Sequence, residues 1–270
     1  MSLTRRTRTG LLQLHFGVRH GQTVLLSDLQ KAPLMVVRPF RLACGTLMVY
    51  IINPTGGVLG GDHSEIRVQV DGGARALLLT QAATRIQPDH TGAAATQDIH
   101  FTVAAGGRLE YYPERTIPFA RSRFVQTLRA DLEGGAEFGW LETLATGRVL
   151  SGERLEFDEY HSAGEVCVDG GRVYLDRQRL LPDSHSRAPG ILGTADYVAT
   201  GVWVAPPPEP PLTAEAEAAL APVTWGHTHA GAVWLRHTAE HGLALDKQLL
   251  PARAALRQWL WNAAPLEIRG

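Results

Sequence analysis

Four glycines within six positions precede an aspartate in the segment Asn53–Asp62, which reads Asn-Pro-Thr-Gly-Gly-Val-Leu-Gly-Gly-Asp. Glycine reaches positive φ at little cost, so Gly56–Gly57 and Gly60–Gly61 indicate sharp turns or a close approach of the backbone to a ligand. Asp62 would then lie on a nearly bare backbone, where a ligand or partner could reach it. The simpler interpretation is two tight turns with Asp62 as a capping residue. The spacing alone leaves both interpretations open.

Two glutamates lie in unusual surroundings. Glu142 stands within the apolar run Trp140–Leu144, and Glu153 follows a glycine-containing loop. A carboxylate among apolar neighbours either pairs with an arginine or faces a water-filled cavity, because an isolated buried charge is too costly. Arg148 and Arg154 are close in sequence and are available as partners. An ion pair and a wet cavity therefore both remain open for each glutamate.

A possible zinc motif lies near the C-terminus. The stretch His237-Thr-Ala-Glu-His241 matches the H-x-x-E-H pattern of one class of zinc peptidases. On a helix, His237 and His241 would face one side, with Glu240 near them as a general base. Gly242 would interrupt such a helix one turn later, and a chance match is not rare in a chain with 11 histidines. A zinc peptidase is therefore an alternative, and a polar turn that follows a strand is the simpler interpretation.

Composition excludes several classes of protein. The chain has 270 residues, 44% hydrophobic and 20% charged, which is typical of a soluble globular protein. The net charge of −1 favours neither nucleic acid nor an anionic membrane as an obligatory partner. No phosphate-binding glycine loop and no G-x-S-x-G motif occurs, and no apolar run reaches the roughly 18 residues of a membrane helix. Cys44 and Cys167 are far apart, which suits a reducing compartment, so we predict a cytoplasmic protein.

The elements that must position these residues follow a second glycine pattern. Stretches of alternating apolar and polar residues, such as Ile66–Val70 and Ile99–Val103, each end at a Gly-Gly pair. Alternation that ends in this way is typical of β-hairpins. The recurrence indicates one unit used about four times, with a period too loose for a strict solenoid. The four pairs are Gly72–Gly73, Gly106–Gly107, Gly134–Gly135 and Gly170–Gly171.

The predicted fold is mostly β, with antiparallel hairpins stacked into a barrel or sandwich and about two α-helices near the C-terminus. We treat residues 1–270 as a single domain, with a β-rich body over 10–205 and a C-terminal part over 206–270. The predicted C-terminal elements are a polyproline loop at Pro206–Pro211, a helix at Ala214–Ala221 capped by Thr213, a strand at Ala232–Arg236 and an amphipathic helix at Leu250–Trp261.

Several segments, taken in order, resemble the UreD family of urease accessory proteins, called UreH in some organisms. The resemblance covers about residues 10–200, and the glycine-rich segment combined with Thr-Gln-Ala-Ala-Thr is its most specific part. The segments are Ala32–Leu34 with Arg38–Pro39, Asn53–Asp62, Thr80–Arg85, Pro113–Phe119, and Gly147–Arg148 with Gly152–Arg154.

The resemblance implies a maturation factor that is not an enzyme. Members of the family bind apo-urease and recruit UreF, which recruits the GTPase UreG. Together they promote carbamylation of the urease active-site lysine and insertion of nickel. The family fold is mostly β with two helices, and a water-filled passage is thought to lead nickel toward urease.

A path for a divalent cation needs spaced oxygen ligands and no closed, high-affinity site, because the ion must leave again. From the matching motif positions we predict that Asp62, Glu142 and Glu153 line a transient nickel path, with no catalytic residue and no tightly bound cofactor. The alternatives are the zinc peptidase and a generic β-rich interaction module.

Overall fold

The computed structural model describes residues 8–182, 186–188, 191–206 and 210–266. Four strands precede a series of stacked coils: β1 (Thr9–Arg19), β2 (Gln22–Lys31), β3 (Met35–Val36) and β4 (Phe40–Arg41). The coils contain β5 (Leu47–Ile52), β6 (Val58–Leu59), β7 (His63–Val70), β8 (Arg75–Thr80), β9 (Thr84–Gln87), β10 (Ala95–Val103), β11 (Arg108–Tyr112), β12 (Thr116–Pro118), β13 (Arg123–Leu132), β14 (Glu137–Ala145), a 3₁₀ turn (Val149–Ser151) and β15 (Glu159–Val168). After the coils follow β16 (Gly171–Leu180), β17 (Tyr197–Val204), α1 (Ala214–Leu220), β18 (Thr224–His227), β19 (Val233–Ala239) and α2 (Gly242–Trp261).

Equivalent strands of successive coils pair in parallel, which makes the centre of the protein a β-solenoid. One sheet, sheet A, has the order β16-β15-β13-β10-β7-β1-β2, and the facing sheet B has the main order β18-β19-β17-β14-β11-β8-β5-β3. The short strands β6, β9 and β12 form a third, narrow parallel ladder. The antiparallel pairs, such as β1 with β2 and β14 with β17, lie toward the ends of the two main sheets.

The prediction of antiparallel hairpins stacked into a barrel or sandwich is wrong, although the mostly-β composition and the two C-terminal helices are confirmed. The first three Gly-Gly pairs carry the chain from a strand of sheet A to a strand of sheet B. These corners stack, since the Gly73 N–H donates to the Gly106 oxygen at 3.1 Å and the Gly106 N–H to the Gly135 oxygen at 3.0 Å. The fourth pair, Gly170–Gly171, does close a hairpin, between β15 and β16. Alternation identified the strands but not their partners.

The C-terminal elements largely follow their sequence signals. The Thr213 hydroxyl caps α1 by accepting a hydrogen bond from the Ala216 N–H at 3.1 Å, as predicted. Helix α2 starts eight residues earlier than predicted, because Leu245 and Leu249 bury their side chains against sheet B. The predicted polyproline conformation falls in part on residues 207–209, which lie outside the described residues.

Both helices pack on the outer face of sheet B, where they share an apolar cluster with its strands. Strands β18 and β19 extend the same sheet, so the segment after residue 205 is joined to the solenoid by strand pairing. In the part of the chain that the structure describes, neither helix combines the length and hydropathy needed to cross a bilayer.

A close contact between the two sheets gives a test of the fold. A Cβ added at Gly164 in β15 would lie 2.2 Å from Cη2 of Trp140, a fully buried side chain of β14. We expect Gly164→Ala to lower the free energy of unfolding by about 1–3 kcal/mol, because a tightly packed core tolerates added volume poorly. Urea unfolding measures the change.

The control is the same substitution in a Trp140→Phe background. The smaller ring vacates the space that the new methyl group needs, so Gly164→Ala should cost clearly less there. An equal cost in both backgrounds would mean that Trp140 does not pack on this glycine.

Candidate functional site

The space between sheets A and B is divided by a layer of polar side chains. On one side lies the apolar cluster that contains Ile66, Leu128 and Trp140, and on the other the cluster that contains Phe124 and Leu144. Between them, five inward-facing residues of sheet A stand at the same level on neighbouring strands, opposite two residues of sheet B. This polar layer consists of Ser64, Gln97, Gln126, Ser162 and Gln178 from sheet A, and Glu142 and Thr200 from sheet B.

The strand register creates this layer. Along β13, for example, the inward positions carry Phe124, Gln126 and Leu128, so one polar side chain replaces an apolar one in the alternating pattern. The parallel pairing then aligns Gln97 with Gln126 and Gln126 with Ser162. Because the period of a strand is two, a shift by one residue would turn these side chains outward. The register therefore fixes a polar level across the whole of sheet A.

Glu142 lies at the centre of the polar layer. Its Oε2 accepts a hydrogen bond from Gln126 Nε2 at 2.8 Å, and its Oε1 accepts one from Ser162 Oγ at 3.0 Å. Burial raises the pKa of the Glu142 carboxyl to about 7, and the negative charge of Asp176 contributes to the rise, while the hydrogen bonds from Gln126 and Ser162 oppose it. Within the described ranges, no Lys or Arg forms an ion pair with this carboxylate. Of the two interpretations of Glu142, the ion pair with an arginine is therefore not formed in the described part of the chain.

The Glu142 side chain reaches across the interior, where neutral donors of the opposite sheet hold both of its carboxylate oxygens. Burial of a carboxylate without a cation is costly, and the raised pKa reflects that cost.

Hydrogen bonds continue the layer toward the β16 edge. Gln178 Nε2 donates to Thr200 Oγ1 at 2.7 Å and to Asp176 Oδ2 at 2.9 Å. Asp176 Oδ1 in turn forms an ion pair with Arg236 Nη2 at 2.5 Å. Thr200 is the register partner of both Glu142 and Arg236, so the three residues follow one row across sheet B. The polar groups thus lead from the interior to the edge of the protein.

One cavity adjoins the Ser64 end of the layer, and a second lies beside Asp176, to which Gln178 at the other end is hydrogen-bonded. The smaller one, about 170 Å³, is lined by Ser64 and Gln97 and walled by the loops Asn53–Gly57 and Thr80–Arg85. The larger one, about 970 Å³, is bordered by Asp176 and Arg236 among others. The two motifs that are most distinctive in the sequence therefore surround one end of the polar layer.

Glycine is required in these loops by close backbone packing. A Cβ at Gly57 would lie 2.5 Å from the Arg85 oxygen, and one at Gly60 would lie 2.3 Å from the Ala93 oxygen. Asp62 caps the turn: its carboxylate accepts hydrogen bonds from the N–H groups of Leu59 and Arg8, each at 3.2 Å. The simpler interpretation of the segment, tight turns with a capping aspartate, accounts for this geometry.

Glu153, like Asp62, lies outside the polar layer. It forms an ion pair with Arg148, whose Nε lies 2.9 Å from Glu153 Oε2, and it also accepts a hydrogen bond from the Ala120 N–H at 3.3 Å. The hydrogen bonds from Arg148 hold the pKa of the Glu153 carboxyl below its usual value. Arg154, the other candidate partner, pairs with Asp196 instead. The structure thus separates the three predicted carboxylates: Asp62 is buried as a turn cap, Glu153 is in an ion pair, and Glu142 alone lies in the polar layer.

The H-x-x-E-H stretch does not form a zinc site. His237 lies in strand β19, where its ring Nε2 is 2.5 Å from Gln248 Oε1, and His241 is the residue that precedes α2. The helix on which both histidines would face one side is absent at these positions. Within 8–182, 186–188, 191–206 and 210–266, no three His, Cys, Asp or Glu side chains come close enough together to hold a metal ion.

Most of the polar layer was missed in the sequence. The signal was a polar residue at an apolar position of an alternating strand, as in Ala95-x-Gln97-x-Ile99 or Val198-x-Thr200-x-Val202. A single polar residue at such a position does not indicate a functional site. Their alignment becomes visible only when the parallel register is known. Oxygen groups spaced along such a level, with a single carboxylate at the centre, can bind a divalent cation weakly and release it.

Comparison with known proteins gives one consistent result. Residues 8–269 match the model of a family described as UreD urease accessory protein. A protein of Deinococcus radiodurans named Urease accessory protein UreD is 60% identical over 276 residues, which cover 100% of this chain and 97% of that protein. Proteins with the same name from Haloarcula marismortui and Herpetosiphon aurantiacus are 33% and 37% identical, over 97% and 71% of this chain and 87% and 67% of the relatives.

Proposed function

This chain belongs to the UreD family of urease accessory proteins, and from that premise we propose that it serves urease maturation as a non-catalytic factor. In this proposal it binds apo-urease and recruits UreF, and through UreF the GTPase UreG. The complex then promotes GTP-dependent carbamylation of the urease lysine and the insertion of nickel. Because Cys44 and Cys167 are both free thiols, we place this work in the cytoplasm.

We further propose that nickel passes through the interior of the protein along the polar layer. The observation that supports this proposal is the continuous level of hydroxyl, amide and carboxylate groups between the two cavities. A cation that moves through an apolar core would lose its hydration at great cost, whereas spaced oxygen groups replace part of it. The amide and hydroxyl oxygens are weak ligands for nickel, which suits transfer rather than storage.

Glu142 is the centre of this proposed path. It is a carboxylate in the middle of the layer, and its partners Gln126 and Ser162 are neutral. With a pKa of about 7, the carboxyl is charged in about half of the molecules at neutral pH, and that charge is available to a passing cation. For Asp62 and Glu153 the nickel role stays a prediction, and their present contacts are those of a turn cap and an ion pair.

The test is a Glu142→Gln variant in an activation assay with apo-urease, UreF, UreG, GTP, bicarbonate and limiting Ni²⁺. We expect the rate of activation to fall about tenfold, because the amide keeps the size and hydrogen bonds of the carboxylate but loses its attraction for a divalent ion. Co-elution with UreF should be unchanged.

Glu165→Gln is the matched control, because Glu165 lies on the outer face of sheet A and pairs with Arg129. This variant should activate urease at the normal rate. Normal activation by Glu142→Gln at limiting nickel would reject the internal path, while loss of UreF binding would assign the residue to assembly of the complex.

A further inference from the structure

Arg236 carries a positive charge at the place where Asp176, the neighbour of Gln178 in the hydrogen-bonded row, borders the larger cavity. Arg236 reaches over from β19 to Asp176 of β16, and the two side chains join the edge strand of sheet A to the second strand from the corresponding end of sheet B. The Asp176 carboxylate is also held from within, by Gln178 Nε2 at 2.9 Å. The ion pair thus lies between the interior hydrogen-bonded row and the cavity of about 970 Å³.

The two partners differ in freedom to move. The Asp176 side chain is 18% exposed, whereas that of Arg236 is 47% exposed and borders the cavity. A partly exposed ion pair contributes only about 0–1 kcal/mol, because solvent screens it. Arg236 can therefore swing into the cavity at little cost, while Gln178 keeps Asp176 in place. A guanidinium also stays charged at every physiological pH.

We propose that Arg236 is a gate at this end of the polar layer, which closes the path to a divalent cation while it is paired with Asp176. This inference rests on the proposed internal path. A divalent cation at the mouth competes with Arg236 for the Asp176 carboxylate. The guanidinium then turns toward solvent, and the cation gains access to the row that leads to Glu142.

The proposal predicts opposite effects from the two halves of one ion pair. Arg236→Gln removes the positive charge at the mouth, so activation should reach its half-maximal rate at about fivefold lower Ni²⁺. That factor corresponds to a unit charge and a divalent ion about 8 Å apart in water. Asp176→Asn removes the competing anion and leaves Arg236 in place, so it should shift the half-maximal concentration about fivefold higher. Urease activation in the assembled complex, titrated with Ni²⁺, measures both.

A purely structural role for the pair predicts a different outcome, because losing either partner breaks the same contact and should shift both variants in the same direction. Arg236→Lys keeps the charge and should resemble the wild type. Arg177→Gln is the matched control, since Arg177 is an exposed neighbour on the opposite face of β16. Thermal unfolding of each variant verifies that the fold is retained.

Three results would overturn the gate. The nickel titrations of Arg236→Gln and Asp176→Asn could shift in the same direction, or Arg236→Gln could leave the titration unchanged although Glu142→Gln slows activation. In both cases the internal path stands without a gate. If Glu142→Gln has no effect, the path itself is rejected and the gate with it.

Discussion

An Arg257→Met variant is expected to lose about 3–5 kcal/mol of unfolding free energy. Arg257 of α2 and Glu110 of β11 are 1% and 0% exposed and form an ion pair, with Nε 2.7 Å from Oε2. The same carboxylate oxygen accepts a hydrogen bond from the Tyr112 hydroxyl at 3.0 Å. Removing the guanidinium leaves a carboxylate beneath the helix with too few partners, and that uncompensated charge, not the lost contact itself, causes the cost.

Urea unfolding followed by circular dichroism measures this effect. Arg253→Met is the control, because Arg253 lies one turn earlier on α2 over the Tyr112 ring and is only partly buried. It should cost less than about 1 kcal/mol. Adding Glu110→Gln to Arg257→Met removes both charges and keeps an acceptor for Tyr112, so most of the stability should return. A double variant no more stable than Arg257→Met would show that the guanidinium acts through packing.

The strands of the fold could be predicted from the sequence, but their pairing could not. Alternation over Ile66–Val70 and Ile99–Val103 identified β7 and β10 and the faces that they bury. Whether the next strand folds back or crosses to another sheet depends on the corner. At Gly72–Gly73 the chain crosses, and at Gly170–Gly171 it folds back. Both corners have the sequence Asp-Gly-Gly, so their local signals are the same, although positive φ occurs at Gly73 in the first and at Asp169 and Gly170 in the second.

The candidate site was predictable only at its centre. A carboxylate in an apolar strand pointed to Glu142, with an ion pair and a wet cavity as the two choices. The actual partners of Glu142 are the neutral side chains of Gln126 and Ser162, which lie 16 and 20 residues away and reach it from the facing sheet. Long-range partners decide such questions, and a single sequence does not display them.

The same limit applies to the ion pairs. Arg148 is five residues from Glu153 and was a candidate partner, and this pair forms. Glu110 and Arg257 are 147 residues apart, and nothing near either residue indicates the other. The Arg148–Glu153 pair and the Thr213 cap of α1 were predictable, because in each case the two partners lie within a few residues of one another.

Wild-type stability is expected to fall as pH rises from about 4.5 to about 7, and Glu142 is the reason. Burial raises the pKa of this carboxyl to about 7 in the folded state, whereas its ordinary value is 4.5. Between those values the folded protein binds more protons than the unfolded chain, so the free energy of unfolding decreases with pH. Each pKa unit corresponds to about 1.4 kcal/mol, which gives a loss of about 3 kcal/mol above pH 7.

Glu142→Gln should remove this loss. The variant and the wild type should be about equally stable below about pH 4, where the Glu142 carboxyl is mostly protonated in both the folded and the unfolded state. At pH 8 the variant should be more stable by up to about 3 kcal/mol. Urea unfolding of both proteins at pH 5 and pH 8 measures the difference, and the contributions of the histidines cancel because both proteins share them.

Other carboxyl groups with shifted pKa values do not affect the comparison between the wild type and Glu142→Gln. Hydrogen bonds from His15 and Arg129 hold the pKa values of Asp71 and Asp131 below their usual value, so the stability that these groups add is lost only at more acid pH. Glu165→Gln, on the outer face, should show no pH-dependent difference from the wild type. If Glu142→Gln is equally destabilising at both pH values, the carboxylate is a structural hydrogen-bonding group. A gain in stability confined to neutral and higher pH would instead mean that the folded protein tolerates an unfavourable interior charge, which is the property that a cation path requires.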